Sequence, residues 1–370
     1  MGRFMVTRWS DLSPQARRGW LGLRGRSGAH LSPFYDPAYL DALAAVRPDL
    51  EVLFAEEGGR LVAALPFQRD GFGGLIPAGG PLSDWNGFLA APGAQIDVEA
   101  ALEAAGAHAL RVTAAPPGDP ALPASGWRDD LSHLIDLSEG PEAWLAGRSR
   151  AQPKAFRSLR ARHRKALERF GTIAVHPDDR SPEALAQLFA WKRAQYRRTR
   201  QFDVFGPGWT RALVERLFRT RTEGFSGRLS TLWFGDRLAA VHFGMQSGGR
   251  LHWWFPVYDP ELAAYSPGLL LLQEVIAEAP ALGVESIDLG PGDYRFKHDF
   301  ANAALPLAAA TACRSSTLGR ARIIAQSMTR RLPQLAGRAV ARAYRTWTFA
   351  FAPGSHASAF AVICGSTPLV

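Results

Sequence analysis

"RLSTLWFGDRLAAVHFGMQSGGRLHWWFPVYDPELAAYSPGLLLLQEVIAEAPALGVESIDLGPGDYRFKHDF", residues 228–300, decides the fold. It begins with three apolar and aromatic runs, "RLSTLWFG", "RLAAVHFGMQ" and "RLHWWFPVY", separated by Gly235-Asp236 and Gly248-Gly249. Runs of that length joined by Gly-containing pairs read as strands linked by tight turns. Ser266-Pro267-Gly268 then opens an apolar helix over 267–279, where proline suits the first turn because its missing N–H is not needed there. "VESIDLG" supplies a crossover strand. Three meandering strands, a helix and a returning strand make one α/β unit.

The same grammar extends outward. A strongly basic helix over about 148–169 leads into the strand "TIAVHP", and Ser181-Pro182-Glu183 starts a helix with an N-cap and a first-turn proline. A further helix covers roughly 208–222, and "LPLAAATACR" closes the segment as a last strand. The first 140 residues have a similar order. "FMVTRW" is a strand, "LSPQARRGWLGLR" and "YDPAYLDALAAV" are helices, and "LEVLFAEEGGRLVAALPFQ" is a hairpin turning at Glu57-Gly58-Gly59. "GLIPAGGPLSDWNGFLA", a short helix near "DVEAALEAA" and the strands "ALRVTAAP" and "HLIDLS" follow, with the Pro/Gly-rich 115–126 as linker. The expectation is α/β domains over 1–140 and 141–315, each with a mixed central sheet, and a basic helical tail over 316–370.

Composition bounds the function. A chain of 370 residues with 47% hydrophobic and 21% charged residues can bury a sizeable core. Its two cysteines, Cys313 and Cys364, exclude a disulfide framework or a Cys-rich metal site, and no metal is expected. "MGRFMVTRWSDLS" lacks the apolar core of a signal peptide, and no stretch is long and apolar enough to span a bilayer. The expected location is cytoplasmic, peripheral at the inner face of the membrane. The net charge of +9 is concentrated in the tail. Residues 300–370 hold eight arginines and no acid or lysine, whereas 35 basic residues meet 34 acidic ones before them.

Several residues carry candidate chemistry. A helix start presents unpaired N–H groups and partial positive charge, so Ser266, Pro267 and Gly268 are candidates for an anionic cofactor. Asp288, near the C-terminal end of its strand, and Asp293 are candidate proton acceptors. Tyr294 lies in the same turn. His242, in an otherwise apolar strand, is either a base or a core histidine. Trp254 and Tyr258 either stack a sugar ring or fill the core. Asp84 and Asn86 in "SDWNG" either orient substrate hydroxyls or serve a turn.

From about Ser149 to Arg314 the sequence resembles the cellulose-biosynthesis (CelD/BcsL) branch of the GNAT superfamily. The resemblance rests on "FRSLRARHRKALERFG", "LFAWKRAQYRRTR", "FGDRLAAVHFG", "YSPGLLLLQEVIAEAPALG" and "IDLGPGDYRFKHDF", in that order. "DYRFKHDF" also resembles the Tyr-x-Phe-Lys-x-x-Phe turn of FemA/FemB-type aminoacyltransferases, which contain two GNAT-like domains. The resemblance implies two tandem GNAT-like domains. It further implies transfer of an acyl group, from acetyl-CoA or another acyl-CoA, to an amino sugar or polysaccharide precursor of bacterial exopolysaccharide, as in cellulose, capsule or holdfast synthesis. It makes Lys297 the candidate for the oxyanion and the 266–268 helix start the candidate for the CoA diphosphate. The Gln/Arg-x-x-Gly-x-Gly/Ala loop usual there is absent from that position. Its matches at 68–73 and 334–339 lack the strand–loop–helix context.

Two alternatives stay open. A FemA/FemB-like enzyme would use aminoacyl-tRNA, with nucleic acid as partner through the 148–169 helix, which holds nine basic residues against Glu168. A regulatory module would bind a cyclic dinucleotide or an anionic membrane through Arg338, Arg342 and Arg345. Those arginines fall on the side of the tail helix opposite Val340, Tyr344 and Trp347.

Overall fold

The computed structural model describes residues 3–26, 32–116, 119 and 128–314. Arg338, Arg342, Arg345 and nearly all of the expected linker lie outside the described residues. The chain divides into two compact units, Met1–Asp130 with Pro306–Val370, and Leu131–Leu305.

The first unit opens with β1 (Arg3–Arg8), α1 (Pro14–Arg26) and α2 (Pro37–Val46), then β2 (Glu51–Glu57) and β3 (Arg60–Arg69) as the expected hairpin. β4 (Gly74–Pro77), β5 (Leu89–Ala90), α3 (Val98–Ala104) and β6 (Ala109–Ala115) follow. Neighbouring strands run β1-β2-β3-β4-β6, antiparallel except for the β4/β6 pair, with β5 on β3. Each side chain that alternation turns inward, such as Leu53, Leu65, Leu75 and Leu110, meets Leu102 and Phe88 in one core.

The second unit contains most of β7 (Arg128–Asp136), then α4 (Pro141–Ala151), α5 (Pro153–Phe170), β8 (Ile173–His176), α6 (Pro182–Thr199) and α7 (Gly208–Arg219). β9 (Phe225–Phe234), β10 (Arg237–Ser247) and β11 (Arg250–Tyr258) then meander, and α8 (Pro267–Ala277), α9 (Ala279–Leu282), β12 (Ser286–Pro291) and α10 (Arg295–Phe300) complete it. The strand order is β7-β12-β11-β10-β9-β8. Only β11 and β12 are parallel, as a helical crossover requires. Leu270, Leu271, Val275 and Ile276 of α8 bury against Leu251, Trp253 and Ile287. Ser181 caps α6, its hydroxyl accepting from the Ala184 N–H at 3.0 Å.

Three expectations are corrected. The basic helix is two helices: Gln152 leaves the helical region at φ −127° and ψ 58°, because the ring of Pro153 crowds the residue before it. The unit boundaries fall at Leu131 and Pro306 rather than at 141 and 316. The last strand, β13 (Ala303–Cys313), pairs with β6, Thr311 opposite Arg111, so most of it belongs to the first unit instead of closing the second.

Candidate active site

The ladder between β11 and β12 is short. Arg250 pairs with Ser286, Leu251 with Ile287 and His252 with Asp288, and there the pairing stops although β11 continues to Tyr258. Asp288 stands at this fork. Its neighbours Ile287 and Leu289 enter the core beneath α8, so alternation turns Asp288 to the opposite face. α6 covers that face, through Phe189 against Phe205 and Phe205 against Phe255 of β11.

Asp288 is fully buried. One carboxylate oxygen accepts from Ser132 Oγ at 2.5 Å and from the Gly290 N–H at 2.8 Å. The other lies 3.4 Å from His252 Nδ1, an electrostatic contact more than an aligned hydrogen bond. Burial alone would push its pKa up. The close imidazole of His252, with the hydrogen bonds from Ser132 and the Gly290 N–H, outweighs burial and brings it down to about 2. A carboxylate beside an imidazole nitrogen fixes the ring's orientation, the arrangement of a proton acceptor.

Two more titratable groups are buried nearby. Lys192 of α6 is 9% exposed, and its recorded contact is the ring face of Tyr196 at 5.7 Å. Burial depresses its pKa to about 8. His242 of β10 is fully buried and stacks on Trp253 with ring centroids 3.5 Å apart. Neither of its ring nitrogens has a hydrogen-bond partner among the described residues. Burial, then the charges of His252 and Lys192, hold its pKa well below the usual value, so it stays neutral. It fits the core reading, packed so tightly that a Cβ at Gly244 would lie 2.7 Å from its Cε1 and 2.2 Å from the His252 carbonyl oxygen.

The turn after β12 is organised from within. Lys297 is buried, and its Nζ donates to the carbonyls of Gly290 at 2.8 Å and Pro291 at 2.6 Å, beneath the Tyr294 ring at 5.4 Å. That geometry clamps the turn and differs from the surface pairing with Asp293 or Asp299 that its charge alone suggests. Asp293 pairs instead with His298 at the surface, and His298 packs edge-on to His133. The hydrogen bond and charge of His298 lower the Asp293 pKa. Tyr294 is half exposed.

At the start of α8, Pro267 has no N–H, and Leu269 and Leu270 both bond the Ser266 carbonyl. Gly268 remains as the backbone donor of that turn. Arg162 of α5 bonds the Ser266 hydroxyl and brings a guanidinium to the helix start. Trp254 is buried and stacks on Phe255, which fits the core reading. Tyr258 is partly exposed and borders a groove with Trp191, Gln195, Arg198 and Pro260. In the first unit, Asn86 is consumed by structure: its amide donates to Ser83 O and Thr113 Oγ1 and its oxygen accepts from the N–H groups of Thr113 and Ala114. The negative charge of Asp84 adds to burial in raising the pKa of Tyr39. Among the described residues no cluster of His, Cys, Asp or Glu is placed to hold a metal ion.

The structure thus brings Asp288 together with Ser132 and His252, which sequence reasoning missed. Lys192 was missed too, although it continues the buried stripe Leu185, Leu188, Phe189 of α6, where an apolar residue is the rule.

Residues 153–298 match the acetyltransferase (GNAT) domain family. No curated protein matches the chain. Among solved structures, a tandem GNAT protein from the clavulanic acid biosynthesis pathway is similar at 13% identity and TM-score 0.46, over 86% of this chain and 100% of that one. A conserved protein of unknown function from Bacteroides thetaiotaomicron has 14% identity and TM-score 0.46, over 85% and 100%. FemX has 11% identity and TM-score 0.45, over 77% and 93%. The GNAT domain marks the chain as an acyltransferase.

Proposed function

We propose that the second unit transfers an acyl group from acyl-CoA, acetyl-CoA foremost, to the amine of an amino sugar or sugar precursor of bacterial exopolysaccharide, at the inner face of the cytoplasmic membrane. The observation that carries this reading is the fork at His252–Asp288 inside the GNAT-matched segment. Beyond that pair, the β12-facing backbone edge of β11 has no ladder partner among the described residues. An extended chain with amide groups, such as the pantetheine arm of CoA, satisfies such an edge as an added strand does. Gly268 and Arg162 then suit the CoA diphosphate.

His252, oriented by Asp288, removes the proton from the acceptor ammonium directly or through one water. The freed lone pair attacks the thioester carbonyl carbon; the C–N bond forms as the carbonyl π pair moves to oxygen. Collapse of the tetrahedral adduct breaks the C–S bond, the second proton of the now cationic nitrogen passes to the leaving CoA thiolate, and His252 releases the first to solvent. Calorimetric titration of acetyl-CoA into the full chain is the test, with saturable micromolar binding expected. Absence of binding, together with no thiol release in the presence of glucosamine, would remove acyl-CoA as donor.

One observation favours a second reading. Lys154, Arg157, Arg160, Arg164 and Lys165 project from α5 into solvent, a surface suited to a polyanion and so to an aminoacyl-tRNA donor. Steeply salt-dependent tRNA binding, with none to acetyl-CoA, would select it.

A further inference from the structure

We infer that Lys192 is a catalytic residue, whose ammonium group takes the negative charge that develops on the thioester carbonyl oxygen. This rests on the acyl-transfer reading and assigns a role that reading leaves empty. The reaction needs a proton acceptor and a stabiliser for the oxyanion. His252 with Asp288 supplies the first. Lys297, the residue that the family resemblance nominates for the second, spends its Nζ on the Gly290 and Pro291 carbonyls.

Other cations of this unit are similarly engaged. Arg193 pairs with Asp203, Arg228 with Asp178 and Gln246, and Arg237 with Asp259 and Glu261. Lys192 differs from all of them. The residue is nine-tenths buried, its Nζ lies 5.7 Å from the centre of the Tyr196 ring, and no carboxylate among the described residues pairs with it. A buried charge without a partner is costly, and proteins ordinarily remove it or pair it. Here α6 carries it onto the face of the sheet where His252 and Asp288 emerge at the fork. His242 feels the charges of both His252 and Lys192. One ridge away on α6, Trp191, Gln195 and Arg198 line the groove along the unpaired end of β11, and Gln195 Oε1 is itself buried without a donor.

The assignment explains the missing partner. A cation already held by a carboxylate loses part of its attraction for a new negative charge. A largely buried ammonium that no carboxylate holds gains most when the tetrahedral adduct forms, because the oxyanion is stronger as an acceptor than the ground-state carbonyl. Its bonds do not change. The carbonyl π pair moves to oxygen under its influence and returns as the C–S bond breaks.

The experiment measures CoA thiol release from acetyl-CoA with glucosamine as acceptor, for the wild-type chain, Lys192→Met and Lys192→Arg. Lys192→Met is expected to lower kcat on the order of 100-fold with KM within about twofold. Lys192→Arg should recover part of the loss, because it restores a cation without restoring the shape. In the wild type, kcat should fall as pH rises through about 8, where the ammonium is lost, and that limb should be absent from Lys192→Met. A kcat limb that rises through about 8 and disappears in Lys192→Met would make Lys192 the base and overturn the assignment. So would an unchanged kcat, or a raised KM with normal kcat. An inactive wild type would remove the acyl-transfer reading itself and this role with it.

Discussion

Asp288 and Lys192 are both buried, and their proton equilibria bear on stability in opposite pH ranges. The folded Asp288 pKa, about 2, lies below its ordinary value of 3.8. Its contribution, about 2 kcal/mol at 1.4 kcal/mol per unit, is therefore complete above pH 4 and disappears as pH falls through 2. Asp288→Asn should flatten the acid limb of a stability curve read by urea unfolding. It should also lower acyl transfer about 100-fold by leaving the His252 ring unheld. Lys192 behaves inversely. Its folded pKa of about 8 lies below the ordinary 10.5, so the unfolded chain binds more protons between those values and stability rises with pH across that window. His242 is within electrostatic reach of Lys192. Below pH 8 the buried ammonium costs about 3 kcal/mol, so Lys192→Met should raise stability at pH 7 while lowering turnover. Thermal melts at pH 7 and pH 10 check this, the gain being smaller at pH 10.

At the scale of elements, two glycines decide how closely strands and helices approach. A Cβ at Gly227 would lie 2.2 Å from the Leu217 carbonyl oxygen, where β9 passes the end of α7. Gly227→Ala should therefore cost on the order of 2 kcal/mol or more through displacement of the helix. Gly244→Ala meets the His252 carbonyl oxygen at the same distance, at the register shift between β10 and β11, and should reduce turnover as well as stability. The elements themselves were legible because their signals are local: Gly235 and Gly248 turn the strands, and Ser181 with Pro182 starts α6. Asp288 was legible as a charge at a strand end. His252 was not, because its meaning comes from the parallel register that sets it opposite Asp288 across a helical crossover. Ser132 joins the same carboxylate from 156 residues away. Lys192 left a readable trace, a lysine in an apolar helical stripe, but stripe position alone does not tell a buried amine from a snorkelling one.

For the whole molecule, the first unit is discontinuous in sequence. Residues 1–130 provide β6, but its second neighbour, opposite β4, is β13, most of which lies beyond residue 305. A fragment ending at Asp130 should aggregate through that bare edge, whereas one that joins 306–314 to it by a short Gly/Ser linker should fold; size-exclusion chromatography and circular dichroism distinguish them. The second unit is one continuous stretch with its own core and should fold from a gene for 131–305. Vectorial synthesis makes the same feature matter in time. The ribosome delivers β6 early and β13 late, and at about 5–20 residues per second the interval is on the order of ten to forty seconds. During it, the segment translated second can finish folding while the one translated first still waits for its closing strand, so the nascent chain needs shelter at its beginning, not at its end.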